Sequence, residues 1–112
     1  MIDLSYMAKR QHYLSGPEEE ELKLLGGRIR LARIRRSLTQ VEMAERTGFS
    51  RSTVVDLEAG KSGVSIGALV SVLGALGLQG RLAEALQKDE LGEELEMNAR
   101  QRARGPRDVA DF

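Results

Sequence analysis

Four residues, Arg51, Ser52, Val55 and Asp56, carry the chemistry of recognition and not of bond-making. A guanidinium presents a two-pronged donor to guanine, a hydroxyl bonds to either base edge, methyl groups meet thymine, and a carboxylate accepts from cytosine. Arg51 is the strongest reader of the set. Asp56 is the weakest, because a carboxylate can repel the nucleic acid as readily as it can accept from a base. Around them stand Gln40, Ser50, Arg28 and Arg35, types that bond or attract phosphate oxygens and so set register without reading sequence. Gln40 also opens a predicted helix, where free backbone N–H groups favour an anion.

These residues need two short helices to position them, and the stretch TQVEMAERTGFSRSTVVDLEAG, residues 39 to 60, provides both. Thr39 with Glu42 makes a capping box, and Val41, Met43 and Ala44 begin the apolar face of the first helix. Gly48 stops it. Ser50 caps a second helix in which Val54, Leu57 and Glu58 share one face while Arg51, Ser52, Val55 and Asp56 look elsewhere, and Gly60 ends it. Helices this short, joined by about three to four turn residues, are expected to cross steeply as a helix-turn-helix.

The run Thr39-Gln40, Ala44, Gly48, Ser50, Val54, Glu58, Gly60 resembles the signature of the phage-repressor and Cro-like (XRE) regulators. The resemblance extends to Ile29, Arg33 and Leu38 upstream, and to Ser65, Ile66, Leu69, Leu73 and the ALGL at 75 to 78. It covers about half the chain and implies an all-α, five-helix phage-repressor-like domain that binds double-stranded operator DNA. Arg33 falls on an otherwise apolar stripe with Leu22, Leu25, Ile29 and Ala32, so it is expected to be at least partly buried, and a buried guanidinium needs a partner. In the XRE regulators the matching arginine pairs with a glutamate near the end of the reading helix. That resemblance implies a clamp between Arg33 and Glu58.

The helix carrying Arg33 is expected to start at a second capping box, Ser15 with Glu18, with Pro17 tolerated in its first turn, and to run to about Arg36. Gly26-Gly27 falls inside it, and the expectation is a packed or slightly kinked helix. Beyond Gly60, Ser65 is a plausible cap for SIGALVSVLGALGL, whose Ile66, Leu69, Val70, Leu73 and Leu76 are expected to form core. Residues 81 to 97 read as one acidic amphipathic helix with Leu82, Leu86, Leu91 and Leu95 as anchors for a dimer or a protein partner. The expected domains are an N-terminal arm over 1–14, the helix-turn-helix domain over 15–80, the acidic helix over 81–97 and an arginine-rich tail over 98–112.

The formal net charge is zero, but its distribution is uneven. Residues 24 to 79 hold eight basic and four acidic side chains, whereas residues 1 to 23 hold three and five, and residues 80 to 112 hold six and eight. A net-positive centre between acidic flanks fits a nucleic-acid footprint bounded by interaction segments. The chain has no cysteine, which excludes a disulfide framework and cysteine-based zinc. Its one histidine, His12, has no organised neighbourhood; there is no nucleophile elbow and no phosphate-cradling glycine loop, so an enzyme is not expected. Glu18 to Glu21 spread around a helix start and favour no metal. No cofactor is expected, and with no apolar run long enough for a membrane span or a secretory signal the expected setting is the cytoplasm.

Two flanking stretches narrow the resemblance. KRQHYL at 9 to 14, and GVSIGALVSVLGALGL at 63 to 78 followed by KDELG at 88 to 92, look like the HipB-type regulators encoded beside HipA-like kinase toxins. The family implies a homodimer that represses its own operon and engages the kinase, whole or split. A stand-alone phage or housekeeping repressor, and an interaction module with vestigial DNA binding, stay open beside it.

Overall fold

The computed structural model describes residues 13–104, and these form six α-helices and no strand. They are α1 (Gly16–Arg35), α2 (Gln40–Thr47), α3 (Arg51–Glu58), α4 (Ile66–Ala75), α5 (Arg81–Ala85) and α6 (Glu90–Arg102). The chain divides into two compact units between Gln79 and Gly80. His12, most of the expected arm and the end of the expected tail, including Gly105-Pro106, lie outside the described residues.

Both capping boxes form. The Ser15 and Thr39 hydroxyls accept the N–H groups of Glu18 and Glu42, whose carboxylates accept the N–H of Ser15 and Thr39 in return. The Thr39 backbone N–H holds the Glu42 carboxyl below the ordinary glutamate range. With its folded value depressed, that cap stabilises the fold above the unfolded glutamate pKa of about 4.3 and loses its contribution as pH falls through the lower folded value. α1 ends one residue before the expected Arg36, in a reverse turn in which Ser37 adopts a left-handed φ of 56° and Leu38 N–H bonds back to the Arg33 carbonyl.

In the first unit α3 packs against α1, α2 and α4, and α4 also packs on α2. Ile29, Leu38, Met43, Val54, Leu57, Ala68, Val72, Leu73 and Leu76 are buried at their junction. The expected core face of α4 is corrected here. Ile66 is 76% exposed and Val70 is half exposed, while Ala68 and Val72 are buried in their place. A helix apolar on nearly every side carries little periodic signal about which side turns inward, and packing on α2 and α3 decides it.

The second unit also differs from expectation. The stretch 81 to 97 is not one helix but two, since Asp89 caps a new start by accepting the Gly92 N–H and α5 stops at Ala85. α6 then runs to Arg102, into the first part of the expected tail. No helix among the described residues is long and apolar enough to cross a membrane.

The two adjacent glycines of α1 have opposite surroundings. A β-carbon at Gly26 would stand 2.6 Å from the carbonyl oxygens of Leu57 and Glu58, whereas one at Gly27 would meet nothing within 4 Å. Gly26 is therefore the point where α1 presses its backbone on the end of α3. Gly26→Ala should cost about 1–3 kcal/mol or more through overpacking. Gly27→Ala, which only adds helix propensity, should stabilise by up to about 1 kcal/mol. Thermal melts at low protein concentration measure both, and equal shifts for the pair would contradict the close approach.

Candidate nucleic-acid interface

α2 and α3 are separated by Gly48, Phe49 and Ser50. Gly48 takes the left-handed conformation at φ 80° and returns its N–H to the Ala44 carbonyl, closing α2. The Ser50 hydroxyl accepts the Thr53 N–H at 3.2 Å and opens α3. The far end of α3 closes in a tight C-terminal turn, in which Gly60 N–H reaches Leu57 O and Lys61 N–H reaches Asp56 O.

Of the four candidate readers on α3, Arg51, Ser52 and Val55 are exposed and Asp56 is half-buried. Arg51 makes no ion pair among the described residues and keeps its donors available. Ser52 lies 3.2 Å from the Ser50 hydroxyl, which itself lies 3.0 Å from that of Thr53, so three hydroxyls cluster at the start of the helix. Asp56 has a neighbour that the sequence reading missed, the Lys61 ammonium at 3.5 Å. The Lys61 side chain is largely in solvent and that of Asp56 partly so, so the pair is weak. It still blunts the negative charge of Asp56, and nothing in the sequence beyond their places on either side of the Gly60 turn pointed to the contact.

The inner face of α3 is held by a buried charge pair. Arg33 and Glu58 are 7% and 8% exposed. Arg33 Nε donates to Glu58 Oε2 at 2.5 Å, its Nη2 donates to Oε1 at 2.9 Å, and its Nη1 donates to the Leu38 carbonyl at 2.8 Å. These bonds to Glu58 outweigh the burial that opposes charge and raise the Arg33 pKa above its ordinary value. A raised pKa contributes stability below the unfolded value, and for a guanidinium that includes the whole working pH range.

Gln40 joins this network, which the sequence reading did not foresee. Its Nε2 donates to Glu58 Oε1 at 3.1 Å. One amide donor is thereby used, and the second donor and the carbonyl oxygen stay available. At the same helix start Thr39 takes the N–H groups of Glu42 and Met43, leaving those of Gln40 and Val41 without a partner among the described residues. Arg28 and Arg35 are exposed on α1, in no ion pair among the described residues. The structure thus brings Gln40, Arg33 and Glu58 into one network, clusters Ser50 with Ser52, and leaves Arg28 and Arg35 separate. In the second unit, Leu86, Leu91 and Leu95 are exposed and Leu82 is half-buried.

Residues 24–86, more than half of the chain, match the family described as Helix-turn-helix domain. The chain belongs to that family. It is also 44% identical over 55 residues to the immunity repressor protein of Bacillus phage phi105, a stretch that is 49% of this chain and 38% of that protein. This chain therefore aligns with well under half the length of that relative. The helix-turn-helix architecture is that of a DNA-binding regulator.

The clamp has a measurable signature. Glu58→Ala leaves a buried guanidinium unpaired and should cost about 3–5 kcal/mol. Replacing both charges together, as in Arg33→Met with Glu58→Leu, should recover most of that loss in thermal or denaturant unfolding. Equal stability of Glu58→Ala and the unmodified protein would refute a buried pair.

Proposed function

We propose that this chain is a sequence-specific DNA-binding transcriptional repressor acting in the cytoplasm, with α3 as the helix that enters the major groove. The observation that carries the proposal is the division of α3: Val54, Leu57 and Glu58 are locked inward, while Arg51 at its N-terminal end, and Ser52 and Val55 beside it, stand exposed. Asp56, damped by Lys61, completes the base-reading set. Gln40 and Ser50 contact phosphates, and Gln40 does so beside the open N–H groups of its own helix, while Arg28 and Arg35, which stand apart from both on α1, are left out of that set. The phage immunity repressor supports this assignment through the matched stretch alone.

In its finer form, the proposal is a HipB-like antitoxin that represses its own operon as a dimer and engages a HipA-like kinase toxin. The resemblance at 63 to 78 and 88 to 92 supports it, as do Leu91 and Leu95 on the acidic α6 and Leu86 just past α5, an apolar set left in solvent. In the full chain, Leu91→Ser with Leu95→Ser should abolish co-purification with the kinase from the intact operon while operator binding persists. Retained kinase with both leucines replaced would remove the second unit from that role.

The DNA reading rests on separable contributions. Arg51→Ala should lose about 1–3 kcal/mol on operator DNA and much less on random DNA, since a bidentate guanine contact is sequence-specific. Gln40→Ala should weaken both alike. Fluorescence anisotropy across a salt series checks both, and equal losses on the two DNAs for Arg51→Ala would reduce that residue to a phosphate contact.

A further inference from the structure

α1 has a second apolar face. At about 100° per residue, Leu24, Gly27, Leu31 and Ile34 fall within an arc of about 80°, on the side opposite Ile29 and Arg33. Ile29 and Arg33 are buried; Leu24 is 54% exposed, and Leu31 and Ile34 are each 45% exposed. The spacing of 3, 4 and 3 residues is that of a helix seam, with Gly27, exposed and free of neighbours, in its middle. Apart from Lys23, charge is segregated about the same midpoint. Glu18 to Glu21 occupy the first turns, and Arg28, Arg30, Arg35 and Arg36 the second half.

From this arrangement we infer that the outer face of α1 is a self-association surface, on which the α1 of a second copy lies antiparallel across a twofold axis beside Gly27. A closed twofold contact needs a self-complementary patch. This one is self-complementary in only one direction. Antiparallel pairing sets Leu24 against Leu31 of the second copy, and Glu20 and Glu21 near its Arg35, at both ends of the contact. Parallel pairing would stack glutamates on glutamates and arginines on arginines, which costs energy. Gly27, lacking a β-carbon, lets the two backbones approach where they cross. The two Arg28 side chains flank the axis and repel, which together with the limited area of a single helix pair keeps the association weak in free solution. The interface stands on α1 alone. Its consequence rests on the repressor reading: two weakly joined copies on linked half-sites gain the effective concentration that a lone domain lacks. It also leaves the acidic second unit free for a different protein.

The absence of cysteine from the chain makes the test direct. In the full-length protein without DNA, Leu24→Cys combined with Leu31→Cys should give a covalent dimer under mild oxidation. Each single variant should stay monomeric, because like positions are displaced by seven residues, about 10 Å along the helix, beyond disulfide reach. Gly27→Cys, beside the axis, should link to itself. By sedimentation, Glu20→Arg and Arg35→Glu should each weaken self-association, and the double variant should restore it, which a folding defect cannot mimic. Leu31→Asp should weaken it about tenfold or more. Failure of the double-cysteine variant to link, equal linking by the single variants, or no recovery in the charge swap would overturn the interface. Failure of the unmodified protein to bind operator DNA, with these DNA-free results intact, would instead count against the repressor reading.

Discussion

Most of the first unit depends on one buried ion pair, Arg33 with Glu58. Two charges taken out of water are costly, and the cost is offset only when geometry is good and the remaining donors are satisfied. Both conditions hold here. The guanidinium meets the carboxylate through two nitrogens and spends a third on the Leu38 carbonyl, just where the chain turns out of α1. Leu38 in turn is buried and leads into the Thr39 cap of α2. One arginine on α1 thus fixes the last turn of α3 and the chain leading into α2. Orientation, more than net stability, is what such a pair supplies, because an apolar pair of the same size would hold the helices with less sensitivity to angle.

Backbone contacts reinforce the same junction. Gly26 admits the carbonyls of Leu57 and Glu58, and Gly60, at φ 77°, lies where a β-carbon would strike the backbone of Leu22 and Lys23. Both approaches involve the C-terminal end of α3. That end is tied to α1 by charge and by a glycine on each side. The other end of α3 carries Arg51 and Ser52 into solvent with only the Ser50 hydroxyl cluster beside them. A short helix anchored at its C-terminus and exposed at its N-terminus suits insertion into a groove, where the first turns meet base edges. Gln40 links the two functions physically, since the carboxylate that anchors α3 also orients the amide at the start of α2.

Local chemistry made much of this legible. Each of the four caps at Ser15, Thr39, Ser50 and Ser65 involves a side chain and an N–H three residues apart, so its pattern is written in adjacent residues. The Arg33 and Glu58 pair, 25 residues apart, came from an anomaly of type: an arginine on an apolar stripe implies a buried partner, though the family resemblance supplied which one. Tertiary choices were less visible. Ile66 and Val70 are as apolar as Ala68 and Val72, and only the neighbouring helices determine that the smaller pair turns inward. The break between α5 and α6 was masked because the leucines at 82, 86, 91 and 95 nearly keep a helical period across it, although Asp89 is a good cap. The contacts of Gln40 with Glu58 and of Lys61 with Asp56 depend on side-chain directions that spacing alone does not give.

α1 shows a further way in which periodicity conceals a surface. Its inner face holds Leu22, Leu25, Ile29 and Ala32 and its outer face Leu24, Leu31 and Ile34, so apolar residues occur on opposite sides of one helix. A one-sided amphipathic pattern cancels under that arrangement, and the helix looks merely mixed. Within the unit only one side can be covered, because α3 packs on the inner face and the clamp fixes which face that is. Rotating α1 to bury Leu24 and Leu31 would carry Arg33 away from Glu58 and place Gly26 where no carbonyls require it. The same constraint that aims α3 therefore commits the outer leucines of α1 to solvent. Three large aliphatic side chains lined up along one helix around a glycine, with acids at one end and arginines at the other, exceed what solubility calls for. In the pairing proposed above, a second copy covers them.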